Sequence, residues 1–132
     1  INRVSIGAWT DTVRLHRFEA GKDLIDYLRE KGNIKCLLCA DYDRLSYDLT
    51  DTDLDILDNK KIVIRNGLAY RKTDIRLDLL ETDTDETIQS LVTKTEELLE
   101  NDAGRQLVVF CHEWIFKRIN KRIEQYLQYI ID

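Results

Sequence analysis

Two apolar runs in this chain break off abruptly into residues that can handle protons or bind a substrate. Cys36-Leu37-Leu38-Cys39-Ala40 leads into Asp41-Tyr42-Asp43-Arg44, and Leu107-Val108-Val109-Phe110-Cys111 leads into His112-Glu113-Trp114. A third, alternating stretch, Val13 to Phe18, carries Arg14 and His16. The two apolar runs are too short for helices and suit strands buried on both faces. In parallel α/β architectures, ligands bind beyond the carboxyl ends of the strands, where the loops converge. Any strand must end in something polar, so no single position argues for function; the convergence of three such ends does. His112 is the natural proton donor, because an imidazole titrates near neutral pH. Asp41 and Asp43 are the acids expected to hold its ring.

Other spacings imitate known sites and fail on geometry. Cys36 and Cys39 spell C-x-x-C, but they lie in a strand-like run, where side chains three apart point to opposite faces. A redox pair also needs its first cysteine at a helix N-terminus. Cys111 and His112, adjacent on a strand, face apart and cannot act as nucleophile and base. His112-Glu113 opens like a zinc-protease helix motif, yet Phe116 stands where the second histidine belongs. Asp51, Asp53 and Asp55 imitate a calcium loop, but Ile56 replaces its glycine and Ile62 its glutamate. Trp9, Tyr42, Tyr47 and Trp114 lie near the expected strand ends and have the amphipathic rings that stack against sugars, although such aromatics more commonly just line a core margin.

The elements that must position these residues follow from periodicity. Arg3 to Thr10 is strand-like. Gly21 opens a helix with Leu24, Ile25 and Leu28 on one face, and Gly32 stops it. Thr50 followed by Asp51 and Asp53 reads as an N-cap with acidic first-turn residues, starting a short helix through Leu54 and Leu57. Lys61 to Arg65 and Leu68 to Lys72 flank Asn66-Gly67, the strongest short-range hairpin signal. Thr73 to Asp78 continues as an extended stretch. From about Thr84 the pattern is helical, with Ile88, Leu91, Val92, Leu98 and Leu99 apolar, and Asp85 and Glu86 near its start. The last helix presents Ile115, Ile119, Ile123, Tyr126, Leu127 and Ile130 at helical spacing. Strand and helix alternate around an inserted hairpin, which predicts an α/β fold with a mostly parallel sheet. The Cys36–Ala40 and Leu107–Cys111 strands are expected to be parallel neighbours or near-neighbours.

With 132 residues the chain is the size of one domain. Acidic and basic residues are mixed throughout and the net charge is −5, so no clustered basic face offers itself to nucleic acid. No apolar run approaches the ~20 residues that cross a bilayer, and the first residues lack a signal-peptide layout. Three cysteines in apolar runs fit reduced structural thiols and a cytoplasmic setting. Methionine is absent even from position 1, so a segment upstream of Ile1 is expected.

The segments VRLHRF at 13–18, LLCADYDRLSYDLT at 37–50, TDIRLD at 73–78 and VVFCHEW at 108–114 together resemble the C-terminal half of the bacterial polysaccharide-deacetylase-like family. The resemblance implies an irregular (β/α) barrel of which residues 1–132 form a single α/β portion. It implies hydrolysis of acetyl groups on sugars with a divalent metal, zinc or similar. Arg14 then matches the arginine that orients a catalytic aspartate, Asp41 or Asp43 the acid that positions a histidine, and His112 the general acid. Trp114, Tyr42 and His16 are the expected carbohydrate contacts. The sequence departs from the family in having no proline after Arg14, Arg44 in place of a tryptophan, and neither the paired aspartates nor the spaced histidine pair that hold the metal. The expected partners are therefore a carbohydrate substrate and either an upstream segment or a second copy covering an open sheet edge. The alternative reading is a non-catalytic carbohydrate-binding or assembly module that keeps the framework without the chemistry.

Overall fold

The computed structural model describes residues 10–40, 46–82, 87–101 and 106–131. The protein is mixed α/β, and its chain divides into two compact units, Ile1–Lys72 and Thr73–Asp132.

In the first unit β1 (Thr12–Val13), α1 (Lys22–Glu30), β2 (Cys36–Cys39), α2 (Asp51–Lys60), β3 (Ile62–Arg65) and β4 (Leu68–Lys72) build a sheet of order β1-β2-β4-β3. β1, β2 and β4 are parallel, and the hairpin strand β3 alone runs antiparallel. The mostly parallel sheet with an inserted hairpin is therefore present. Its turn is the expected one: Arg65 pairs with Leu68, and Asn66 and Gly67 take φ of 51° and 77°, the left-handed values a two-residue hairpin requires. Leu37, Cys39, Val63, Leu68 and Tyr70 alternate onto the face that packs with Ile25 and Leu57 of the helices. Cys36 and Leu38, on the other face, are only half-buried, so β2 is not buried on both sides as its unbroken apolar run suggested.

Gly32 ends α1 for a steric reason. Ile34 N–H bonds Leu28 O at 3.0 Å, and a Cβ on Gly32 would lie 2.7 Å from that same oxygen; the left-handed residue is Asn33, at φ 53°. Of the apolar face read for α1, Ile25 is buried and Leu28 packs against the core, but Leu24 is exposed. Thr50 caps α2 through a reciprocal box with Asp53, as its sequence signalled.

The stretch 14–18 departs from the extended expectation. His16–Phe18 forms a 3₁₀ turn in which Arg17 and Phe18 both have positive φ, near 56°. Long-range contacts hold this unfavourable backbone: Phe18 O accepts Tyr47 N–H at 2.5 Å, and the Tyr47 hydroxyl donates to Leu38 O at 2.7 Å while accepting Leu15 N–H at 3.3 Å.

The second unit contains β5 (Ile75–Arg76), α3 (Leu79–Thr82), α4 (Ile88–Glu100), β6 (Val109–Phe110) and α5 (Glu113–Ile131). β5 and β6 pair in parallel, Ile75 with Val109 and Arg76 with Phe110. The apolar run at 107–111 thus forms a strand, but a two-residue one whose partner is β5. The expected neighbour, β2, sits in the other sheet, because hydrophobicity selects a strand without selecting its partner. Val109 is 41% exposed, so this strand is not buried on both faces.

Ile75, Leu77, Leu80, Leu91, Val92, Ile115, Ile119, Ile123 and Tyr126 form the core of this unit, each large apolar side chain contributing about 1.5–3 kcal/mol by burial. Thr95 completes the inner face of α4, where its hydroxyl donates to Leu91 O at 2.7 Å and meets the Tyr126 hydroxyl at 2.8 Å. Leu99, Leu127 and Ile130, read as core, are partly open to solvent. The described strands form two separate sheets and no closed barrel is among them. No helix among the described residues is long and apolar enough to cross a membrane.

Candidate functional site

The β5–β6 register places Asp78 and His112 opposite one another, each two residues past the end of its strand. Strand alternation then separates two faces. Ile75 and Leu77 point into the core, whereas Arg76 and Asp78 share the other face with Phe110 and His112. Asp74 lies on that face too, and its carboxylate accepts Val108 N–H at 3.0 Å. Two aspartates four residues apart therefore clamp the two ends of β6.

Asp78 does more than clamp. Its Oδ1 accepts the backbone N–H of His112 at 2.8 Å, and its Oδ2 lies 2.5 Å from His112 Nδ1. A carboxylate can only accept, so Nδ1 carries the proton and Nε2 is left for chemistry. Nε2 bonds no group among the described residues. The carboxyl group is nearly buried, and the imidazole is one-fifth exposed. Phe110 meets the imidazole edge-on with ring centroids 4.6 Å apart, and Trp114 stacks on it at 4.0 Å with 30° between planes. The Arg76 guanidinium lies over the Phe110 ring, 5.5 Å from its centroid.

His112 also starts the last helix, since its carbonyl accepts the N–H groups of Ile115 and Phe116, both at 3.1 Å. The main chain of this residue caps α5 while its side chain turns back to Asp78. α3, which begins directly after Asp78, is tied to α5 by an ion pair from Arg118 to Glu81 and a hydrogen bond from Arg122 to Leu80 O. These links hold the chain carrying the carboxylate against the helix carrying the imidazole.

Cys111 adjoins the pair, and its surroundings disfavour the thiolate. Burial, the nearby Asp78 charge and hydrogen bonding to that carboxylate push its thiol up to about 11, and the reactive species is the thiolate. Cys39 is pushed up to about 12 chiefly by burial, and Cys36 is also raised. All three cysteines are free.

Of the residues picked out in the sequence, His112 and Trp114 come together. Arg14 and His16 belong to the first unit, where the Arg14 guanidinium lies 5.0 Å from the Phe18 ring centroid and His16 is exposed. Asp41, Tyr42 and Asp43 lie outside the described residues. The carboxylate found on His112 is Asp78, which the sequence reading passed over. Its signal was available: Asp74, Arg76 and Asp78 fall on one face of an alternating stretch, and Asp78 ends it as His112 ends the other.

Among the described residues no group of three or more His, Cys, Asp or Glu side chains is placed to hold a metal ion. The chemistry legible here is proton transfer at Nε2 of an oriented imidazole beside an exposed aromatic ring. Comparisons with protein-family models, with curated proteins and with solved structures find no match.

Proposed function

We propose that the chain is part of a carbohydrate-directed hydrolase of the polysaccharide-deacetylase type, with His112 as the general acid that releases the deacetylated sugar. The observation that carries this reading is the Asp78–His112 pair at the carboxyl ends of two parallel strands, with Nδ1 held at 2.5 Å. An imidazole so held presents Nε2 in one direction. When the bond between the acetyl carbon and the sugar oxygen or nitrogen breaks, the Nε2 proton passes to that leaving atom. Asp78 orients the ring, as the acid of a catalytic triad does. Trp114, 58% exposed, supplies a ring face on which a sugar can stack. In this reading the residues that would close the barrel, hold a divalent metal and supply a base lie outside those described.

The test is acetate release from acetylated oligosaccharides by full-length protein with added divalent metal. His112→Ala should lower turnover by roughly 10²–10⁴-fold with the fold intact, the usual worth of a positioned proton donor. An unchanged rate would remove His112 from the mechanism. The exposed Trp114 also favours a second reading, a carbohydrate-binding module without chemistry. Saccharide binding with no acetate release by the parent protein would decide for it.

A further inference from the structure

The first unit holds a small cavity of about 150 Å³ between α1, the loop that enters α2 and the tip of the β3–β4 hairpin. Tyr70 lines it. This side chain is only 3% exposed, with its ring in the core beside Tyr47, yet its hydroxyl bonds no group among the described residues. Burying a hydroxyl without a partner is costly, so nearly every such group in a folded protein is bonded to something. Burial pushes this phenol up to about 12; it stays protonated at neutral pH and has a hydrogen to donate.

The charges around that hydroxyl are unevenly matched. Lys22 and Arg29 of α1 share Asp26, and Arg65 pairs with Asp53, so each cation lining the cavity already has an acid. Arg29 uses only Nη2 on Asp26 and Glu30, at 2.8 and 3.1 Å; its Nη1 and Nε bond nothing among the described residues. Asp48 differs from the other two acids. It lines the same cavity, is exposed, and has no ion pair or hydrogen bond among the described residues. The cavity thus offers one unmatched carboxylate together with N–H and O–H donors that do not bond to it. A ligand that satisfies both carries an ammonium and a carboxylate. At about 30 Å³ per water the space equals roughly five waters, which admits a small amino acid and is too small for a nucleotide or a disaccharide.

We infer that this cavity binds a small free α-amino acid, its ammonium on Asp48 and its carboxylate on the Tyr70 hydroxyl and Arg29. The site belongs to the first unit and does not depend on the reading of His112.

Calorimetric titration of the full chain with glycine and L-alanine tests the idea, with N-acetyl-L-alanine, which lacks the ammonium, and L-alaninamide, which lacks the carboxylate, in parallel. The two amino acids should bind saturably and the two blocked analogues should not. Tyr70→Phe keeps the ring and should raise Kd about three- to tenfold, the worth of one hydrogen bond. Asp48→Asn should raise it roughly tenfold or more, since hydrogen bonds to a charged group are the stronger ones. Neither substitution should lower Tm of the unliganded protein, because neither group loses a partner there. Absence of saturable amino-acid binding, equal binding of a blocked analogue, or binding indifferent to both substitutions would overturn the inference. So would a lower Tm in unliganded Tyr70→Phe, which would show that the hydroxyl is held within the fold.

Discussion

Asp78 grips His112 twice, taking the backbone N–H at 2.8 Å and facing ring Nδ1 at 2.5 Å across 34 residues of sequence. One carboxylate thereby sets both where the strand end lies and which way the imidazole points. Asparagine in its place has a single carbonyl acceptor and an NH₂ group, so it cannot serve both donors. Under the proposed deacetylase function, Asp78→Asn is expected to lower acetate release by about 10²–10⁴-fold, because the ring loses its tautomer and orientation. The downfield Nδ1 proton of His112 should also vanish from the NMR spectrum. A variant that keeps that resonance would show that the ring is held by its aromatic neighbours instead.

The same substitution should change a neighbour. Burial, the charge of Asp78 and its hydrogen bonding together hold the Cys111 thiol up at about 11. Removing the charge should lower that value and raise the thiolate fraction at a given pH. Iodoacetamide labelling at pH 8, read by mass spectrometry, should be slow at all three cysteines of the native parent. It should become faster at Cys111 alone in Asp78→Asn. Equal acceleration at Cys39, which is buried in the other unit, would indicate general loosening and remove Asp78 as the cause.

What the sequence made legible was what neighbours in the chain decide. Asn66-Gly67 can adopt φ values that most residues avoid, Thr50 can cap a helix whose third residue is Asp53, and Ile115, Ile119, Ile123 and Tyr126 recur on one helical face. Pairings made at a distance left no such mark. The partner of Leu107–Cys111 is chosen by the packing of a whole unit, and Asp78 gains its meaning only when β5 and β6 come into register. The positive φ of Arg17 and Phe18 is likewise imposed from Tyr47, 29 residues beyond Phe18, through the 2.5 Å bond to Phe18 O.

Tyr126 is fully buried beneath α4. Since the single proton of the Thr95 hydroxyl goes to Leu91 O, Tyr126 is the donor in the 2.8 Å contact with Thr95. Burial raises the phenol's pKa despite that hydrogen bond, so it stays neutral throughout the physiological range. Tyr126→Phe removes one buried hydrogen bond and should cost about 0.5–1.5 kcal/mol. Tyr126→Ala removes the ring as well and should cost roughly 3–5 kcal/mol. Urea denaturation of the two variants measures both. Similar losses would mean that the hydroxyl pair, not the ring, holds α4 to α5.

The cap of α2 gives the clearest dependence on pH. Asp53 is 5% exposed, and burial alone would raise its carboxyl pKa. The Thr50 hydroxyl and backbone N–H, together with the Arg65 guanidinium, outweigh burial, and the net shift is downward. A depressed folded-state pKa means that the unfolded chain takes up a proton first as pH falls. The stabilisation is therefore complete above the unfolded value, near ~3.9, and is lost as pH drops through the folded one. Thr50→Ala should cost about 0.5–2 kcal/mol at neutral pH, the usual worth of an N-cap. Asp53→Asn should also destabilise at pH 7, and it should do so less and less below pH 4, because protonation removes the same charge from the parent. Asp26 and Glu81 are depressed as well, by Lys22 and Arg118 respectively, so acid alone does not isolate the cap. The informative quantity is the difference in urea midpoint between parent and Asp53→Asn, followed from pH 7 to pH 3. A difference that stays constant across that range would mean that Asp53 stabilises α2 through hydrogen-bond geometry and not through its charge.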